Sequence, residues 1–177
     1  MTDADSIKAA NDPQEVEPRN ELCDFVTIVK EVVNDLDEMI TSKSLKIRFD
    51  LPPGGCEIFG TCDHLRYLVR NLVVNAIQAT PDGKAVCVTV NRKRDRVRLA
   101  VRDEGPGIAE DWIPHVFKVY YRGKTAKNSG VPGDEPGLPT AKAIVESHNG
   151  KIRARNLSGG GAEFLVILPA NGGVRPE

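Results

Sequence analysis

Three stretches of this 177-residue chain carry residues whose types and spacing point to chemistry. In Asn71-Leu72-Val73-Val74-Asn75-Ala76-Ile77-Gln78-Ala79 two asparagines four positions apart share one side of a helix, while Leu72 and Val73 belong to its apolar side. Two surface amides account for that spacing. So does an amide oxygen offered to Mg²⁺, a hard ion that takes oxygen ligands and shares them with nucleotide phosphates. In Asp103-Glu104-Gly105-Pro106-Gly107-Ile108 an acid stands just past a β-rich segment that ends at Val101. Such an acid can accept a hydrogen bond from an exocyclic amine, and the two glycines let backbone approach a flat ring, although a plain turn explains the motif as well. The third stretch, from Tyr120 through Tyr121, Arg122, Lys124, Lys127 and Gly133 to Gly137 and Leu138, is a long polar loop that enters a helix. Long loops of this kind serve as lids, and free amides at a helix N-terminus attract anions; solvated basic residues are the plainer reading.

The elements that must position these residues follow from periodicity. Leu22 to Ile40 has apolar residues at spacings of three and four, which predicts one amphipathic helix. Leu45 to Leu51 alternates and stops at Pro52-Pro53-Gly54-Gly55, a strand and a turn. A helix over about Asp63–Ala79, with Asp63 as its N-cap, carries the asparagines. Ala85–Val90 and Val97–Val101 form one hairpin around a charged connection, and Lys151–Ala154 and Phe164–Leu168 form another around Ser158-Gly159-Gly160-Gly161. Between the hairpins lie a short helix near Glu110–Phe117, the loop, and a helix over about Leu138–Ser147. That order favours an α+β two-layer sandwich, with helices on one face of a mixed, mostly antiparallel sheet. Residues 1–18 read as a linker or disordered stub, 19–170 as the domain, and 171–177 as a disordered tail.

Composition excludes several classes. Hydrophobic residues make up 40%, charged residues 28%, and the formal net charge is −1, as for an ordinary globular domain. No apolar run spans a bilayer and the start lacks a signal-peptide profile, so the expected location is cytoplasmic without membrane contact. Cys23, Cys56, Cys62 and Cys87 have no zinc-knuckle spacing and read as reduced, buried thiols. Arg92, Lys93, Arg94, Arg96, Arg98 and Arg102 alternate with Val97, Leu99 and Val101 as the wet face of a strand. Without interleaved aromatics they do not point to nucleic acid.

The order and spacing of these motifs resemble the catalytic domain of histidine kinases, in the superfamily that also holds the gyrase, heat-shock chaperone and mismatch-repair ATPases. The resemblance runs from about Glu17 to Pro169. It includes the asparagine helix entered by Asp63-His64-Leu65, the Asp103-x-Gly105-x-Gly107 box, and Val116-Phe117-Lys118-Val119-Tyr120-Tyr121-Arg122. It continues through Gly137-Leu138-Pro139, Ile144 to Gly150, and Gly161-Ala162-Glu163-Phe164 to Pro169. It implies a two-layer sandwich of the Bergerat type with a long ATP lid, and ATP and Mg²⁺ as cofactors. It makes Asn71 and Asn75 the catalytic pair, Asn75 the metal ligand and Asp103 the adenine acceptor. Gly105, Gly107 and Ile108 would shape the adenine pocket, and Tyr121, Arg122, Lys124, Gly133, Gly137 and Leu138 would complete the nucleotide site.

Asn71 stands where hydrolytic members carry a glutamate, and an amide cannot take a proton from water, so the resemblance implies phosphoryl transfer to a protein. The acceptor is a histidine on a separate dimerisation domain, which then serves a response regulator; no such histidine precedes His64 here, and neither His64 nor His148 reads as a phosphorylation site. His148 reads instead as a charge or cap at a helix end. Three departures weaken ATP binding in expectation: Glu135 replaces a phosphate-loop glycine, Ala162 a threonine, and Gln78 a basic residue. They keep open a nucleotide-sensing or protein-docking module without catalysis. The missing phosphoacceptor also leaves room for an anti-sigma-factor-like serine kinase.

Overall fold

The computed structural model describes residues 19–118 and 137–170. The expected stub, tail and most of the expected lid, with Tyr121, Arg122, Lys124, Lys127, Gly133 and Glu135, lie outside the described residues. In chain order the elements are β1 Glu21–Asp24, α1 Phe25–Asp35, α2 Asp37–Ser42, β2 Lys46–Asp50, β3 Glu57–Gly60 and α3 Cys62–Ala79. They continue with β4 Ala85–Lys93, β5 Arg96–Arg102, α4 Gly137–Ser147, β6 Lys151–Asn156 and β7 Ala162–Pro169.

Five strands form one sheet in the order β2-β4-β5-β7-β6. β2 and β4 run parallel, and the other three pairs are antiparallel. Alternation decides which face is inside: Val97, Leu99 and Val101 of β5 are buried while Arg96, Arg98 and Arg102 are exposed. On the apolar face lie α3 and α4, packed on each other, with α1 packed on α3. Leu65, Leu68, Val69, Leu72, Val73, Ala76 and Ile77 of α3 join Val86, Val88, Phe164, Val166 and Leu168 in one core. This is the expected α+β sandwich with a mixed, mostly antiparallel sheet.

The N-terminal region differs from its expectation. Residues 21–24 are a strand paired antiparallel with β3, and β3 itself has no counterpart in the periodicity reading. Leu22 is consequently 60% exposed and not part of a helix stripe. Asp24 starts α1 as its N-cap, accepting from the Val26 N–H at 3.2 Å and the Thr27 hydroxyl at 2.7 Å. The expected single helix is further divided at Leu36 into α1 and α2. Thr61, not Asp63, occupies the N-cap position of α3, and Asp63 sits in the first turn, where its charge suits the helix dipole. The short helix expected over 110–117 is a 3₁₀ turn at Ile113–His115. Two of the four cysteines are not reduced thiols: Cys23 and Cys62 form a disulfide that ties β1 to the start of α3, while Cys56 and Cys87 are free.

Candidate functional site

α3 is fastened at both ends by side chains from elsewhere. At its C-terminus the Lys43 ammonium donates to the carbonyls of Ile77 at 2.7 Å and Gln78 at 3.4 Å, and the Thr80 hydroxyl donates to the Ala76 carbonyl at 2.7 Å. Lys43 satisfies carbonyls that the helix end leaves unpaired, and the Thr80 hydroxyl adds to the bond that its own N–H makes to Ala76. At the other end the Thr61 N–H donates to Nε2 of His148 at 3.2 Å, while Nδ1 of His148 pairs with the Ile144 carbonyl at 2.8 Å. With Nε2 accepting from Thr61, Nδ1 is the nitrogen that donates to the carbonyl. His148 is therefore a buried bridge from the end of α4 to the start of α3, and its bond to the Ile144 carbonyl is the cap of the two roles expected of it.

Between these anchors, Asn71 and Asn75 stand one turn apart and half-buried, as their spacing predicts. Among the described residues, Asn71 Nδ2 is the one buried side-chain nitrogen or oxygen without a hydrogen-bond partner. Gly137 begins α4 directly against it: a Cβ at Gly137 would stand 3.5 Å from Asn71 Oδ1. Leu138, next in α4, packs on the core. The helix that follows the expected lid thus starts against Asn71.

Asp103 leaves the end of β5 with its side chain 3% exposed. Its Oδ1 accepts from the Gly105 N–H at 2.9 Å and from the Ala162 N–H at 3.2 Å. Burial raises its pKa above the ordinary 3.8, and the two backbone donors oppose that shift. The 103–108 loop is pressed against α3 at Gly105, where a Cβ would fall 2.5 Å from the Ala79 carbonyl. That close approach requires glycine and brings the loop to the C-terminal end of the asparagine helix. Gly107 adopts φ +80°. Ile108, half-buried against the core, has both backbone groups bound to the side chain of Asn156, at 2.7 and 2.6 Å. Glu104 accepts from the Ala85 N–H at 2.7 Å, fixing the loop to the start of β4.

The loop thus brings Asp103, Gly105, Gly107 and Ile108 together, and packing of α3 on α4 brings Asn71, Gly137 and Leu138 together. A cleft of about 490 Å³ is lined by Asp103, Glu104 and Gly105 with Lys84, Arg102 and Gly160, among others, but not by Asn71 or Asn75. Among the described residues no three His, Cys, Asp or Glu side chains converge as a metal site. Sequence reasoning missed Lys43, Glu104, Asn156 and Glu163. The buried Glu163 accepts from Arg102 at 2.5 Å and from Arg155 at 2.7 Å. Each acts across a long sequence separation, and no spacing rule marks any of them.

Comparison with known proteins points to one family. The model of the family described as histidine kinase-, DNA gyrase B-, and HSP90-like ATPase matches residues 60–172. The signal transduction histidine-protein kinase BaeS of Escherichia coli K12 is 31% identical over 146 residues, which cover 82% of this chain and 31% of BaeS. The sensor-like histidine kinase SenX3 of Mycobacterium tuberculosis H37Rv is 31% identical over 147 residues, covering 83% and 36%. The chain therefore spans about a third of the length of these curated relatives. Among solved structures, the catalytic domain of histidine kinase ThkA superposes with a TM-score of 0.78 at 24% identity, covering 87% of this chain and 97% of that one.

Proposed function

The chain belongs to the histidine kinase-, DNA gyrase B-, and HSP90-like ATPase family, as an ATP-binding domain of the kind found in sensor histidine kinases, and we propose that it transfers the γ-phosphoryl group of ATP to a histidine on a separate dimerisation domain. The observation that carries this reading is the Asn71 amide, whose Nδ2 is buried and without a partner among the described residues while its Oδ1 lies beside the start of α4. An orphaned donor there costs about 1–3 kcal/mol unless a ligand acceptor meets it, and a phosphate oxygen is such an acceptor. Asn75, one turn on, offers its Oδ1 to Mg²⁺. A lone amide oxygen, with no carboxylate cage among the described residues, suits an ion that keeps most of its ligands from phosphates and water.

Bound Mg²⁺ would supply neutralisation of charge on the phosphates. The rest falls to the chain. Asp103 holds Oδ1 on two backbone donors and leaves Oδ2 to accept from the adenine amine. Gly105 and Gly107 keep the backbone close enough to flank the ring, with Ile108 beside it. Gly137 and Leu138 bring α4 to the phosphates, and Tyr121, Arg122, Lys124 and Gly133 complete the site from the lid. The amide at Asn71 cannot activate water, which disfavours hydrolysis and leaves the phosphoryl group for a protein acceptor. We assign a response regulator as the onward partner; ThkA has been solved in complex with the response regulator TrrA. We assign it cytoplasmic action without nucleic-acid or membrane contact; no described helix is long and apolar enough to cross a membrane.

A second reading, nucleotide sensing or docking without transfer, is favoured by Ala162. Its N–H still reaches Asp103, but its side chain brings no hydroxyl to the adenine side. Titration with Mg-ATP, followed by incubation with a histidine-bearing dimerisation domain and labelled ATP, separates the two. Transfer that yields an acid-labile phosphate supports the kinase, binding without transfer supports the sensor, and an acid-stable phosphoserine supports the anti-sigma-like alternative. Asn75→Ala is expected to lower Mg-ATP affinity at least tenfold without changing the unfolding midpoint, because a half-buried surface amide contributes little to stability. Unchanged Mg-ATP affinity in that variant would refute the metal role.

A further inference from the structure

Asn156, the last residue of β6, makes two hydrogen bonds to one residue of the 103–108 loop. Its Oδ1 accepts from the Ile108 N–H at 2.7 Å, and its Nδ2 donates to the Ile108 carbonyl at 2.6 Å. A side-chain amide that binds both backbone groups of one residue imitates a neighbouring strand, and it fixes the orientation of that residue in two dimensions. The approach is close on the preceding residue as well. A Cβ at Gly107 would fall 2.9 Å from Asn156 Oδ1, so glycine at φ +80° is what lets the clamp close. Asn156 is also in register with Ala162, the residue whose N–H reaches Asp103. One pair of the β6–β7 ladder thus holds both ends of the loop: Asp103 through Ala162, and Ile108 through Asn156.

We propose that Asn156 is a positioning residue for nucleotide recognition, holding Gly107 and Ile108 at the height at which they can flank the adenine ring while Asp103 reads its amine. The proposal rests on the reading of the 103–108 loop as the adenine-side wall. Asn156 is exposed, so its replacement opens no cavity in the core and the effect on the loop can be read separately from the fold.

Three variants of the full chain test the role: Asn156→Ala removes both bonds, Asn156→Asp keeps the acceptor but sets a carboxylate against the Ile108 carbonyl, and Asn156→Ser retains one short polar group. Amide hydrogen exchange at Ile108 should accelerate about tenfold or more in Asn156→Ala, as expected for loss of a hydrogen bond, while Gly105, held by Asp103, stays protected. ATP affinity should fall about five- to tenfold, the ratio of ATP to GTP affinity should shrink, and the denaturation midpoint should hold. Asn156→Asp should protect the Ile108 amide yet still lose affinity. Asn156→Ser should fall between the parent and Asn156→Ala.

Unchanged Ile108 exchange in Asn156→Ala would show that the clamp does not hold in solution. Faster exchange with unaltered ATP affinity and nucleotide preference would reduce Asn156 to a structural contact and overturn the proposal. A parent chain that binds no ATP would sink the adenine-side reading and the nucleotide role of Asn156 together. In that case the Ile108 exchange rates would still report whether the loop is clamped, which keeps the two failures distinguishable.

Discussion

Two buried carboxylates lie within one strand pairing of each other and have opposite surroundings. Glu163 on β7 is opposite Arg102 of β5 and Arg155 of β6, and each guanidinium donates to one of its two oxygens. Asp103 follows Arg102 directly, yet its carboxylate meets two backbone amides, both on the same oxygen, and no described cation. Burial alone would raise the pKa of Glu163, but the Arg155 and Arg102 bonds outweigh it and hold the group below its ordinary 4.5. For Asp103 burial wins and the pKa rises. Near-equal burial thus yields a saturated acid that ties three strands together and an acid with acceptor capacity left over. In this sheet, partner chemistry and not depth separates a structural carboxylate from a recognising one.

The harshest way to break the contrast is at Gly161, between the two acids. It has φ +84°, and a Cβ there would fall 2.0 Å from the Asp103 carbonyl, so backbone must move. Gly161→Ala should cost about 3 kcal/mol or more and displace Asp103, measurable as a lower denaturant midpoint together with lost ATP binding. Retained stability would mean that the loop is softer than its contacts imply.

Asp103→Asn sharpens the contrast. Two N–H groups converge on Oδ1, so the variant amide should keep its oxygen there and turn Nδ2 toward the ligand, a donor facing the adenine amine. A mismatched buried donor costs about 1–3 kcal/mol, so ATP affinity should drop about ten- to hundredfold and the ATP-over-GTP preference should vanish. Stability should move the other way. With a folded pKa above 3.8, native Asp103 holds its proton longer than the unfolded chain. Its contribution is complete below 3.8 and is lost as pH rises through the folded value. Asp103→Asn should remove that downward slope, which urea titrations between pH 3 and 7 would resolve. A full adenine preference in the variant would mean that Asp103 does not read the base.

The smallest effect belongs to Glu163→Gln. Arg102 and Arg155 are half-exposed or more and can turn to water, so the cost should be only about 1 kcal/mol at pH 7. The sign in pH is opposite to that of Asp103. A depressed carboxylate stabilises above its unfolded pKa of 4.5 and loses that contribution as pH falls through the folded value. The parent should converge on the variant in acid, and ATP affinity should not change. A large loss of ATP affinity would assign Glu163 to the site and erase the distinction.

Legibility in the sequence differed by region for physical reasons. α3 was readable because a helix makes its own backbone bonds and its side chains follow a 3.6-residue period, so Asn71 and Asn75 had to share a face. The β4–β5 and β6–β7 hairpins were readable because alternation and charged or glycine-rich turns are local signals. β1 was misread, since Leu22, Phe25 and Val26 also fit a helical stripe. What makes 21–24 a strand is β3, more than thirty residues away in the chain. The thiols of Cys23 and Cys62 were likewise set side by side by tertiary packing across a separation of 39 residues. The cap at Thr61 lay within the ordinary uncertainty of a helix boundary.

By itself the sequence determined the α+β layering, the residue types of the candidate site and their order, because periodicity, turn chemistry and motif spacing act over a few neighbouring residues. Only the tertiary structure decided that Asn71 lies beside Gly137 with its Nδ2 unpaired among the described residues, and that Gly105 lies against the end of α3. It likewise decided that Asp103 and Glu163 meet opposite partners and that Asn156 clamps Ile108. Each of these depends on which strand lies beside which and in what register. Such contacts join residues tens of positions apart, and local spacing carries no information about them.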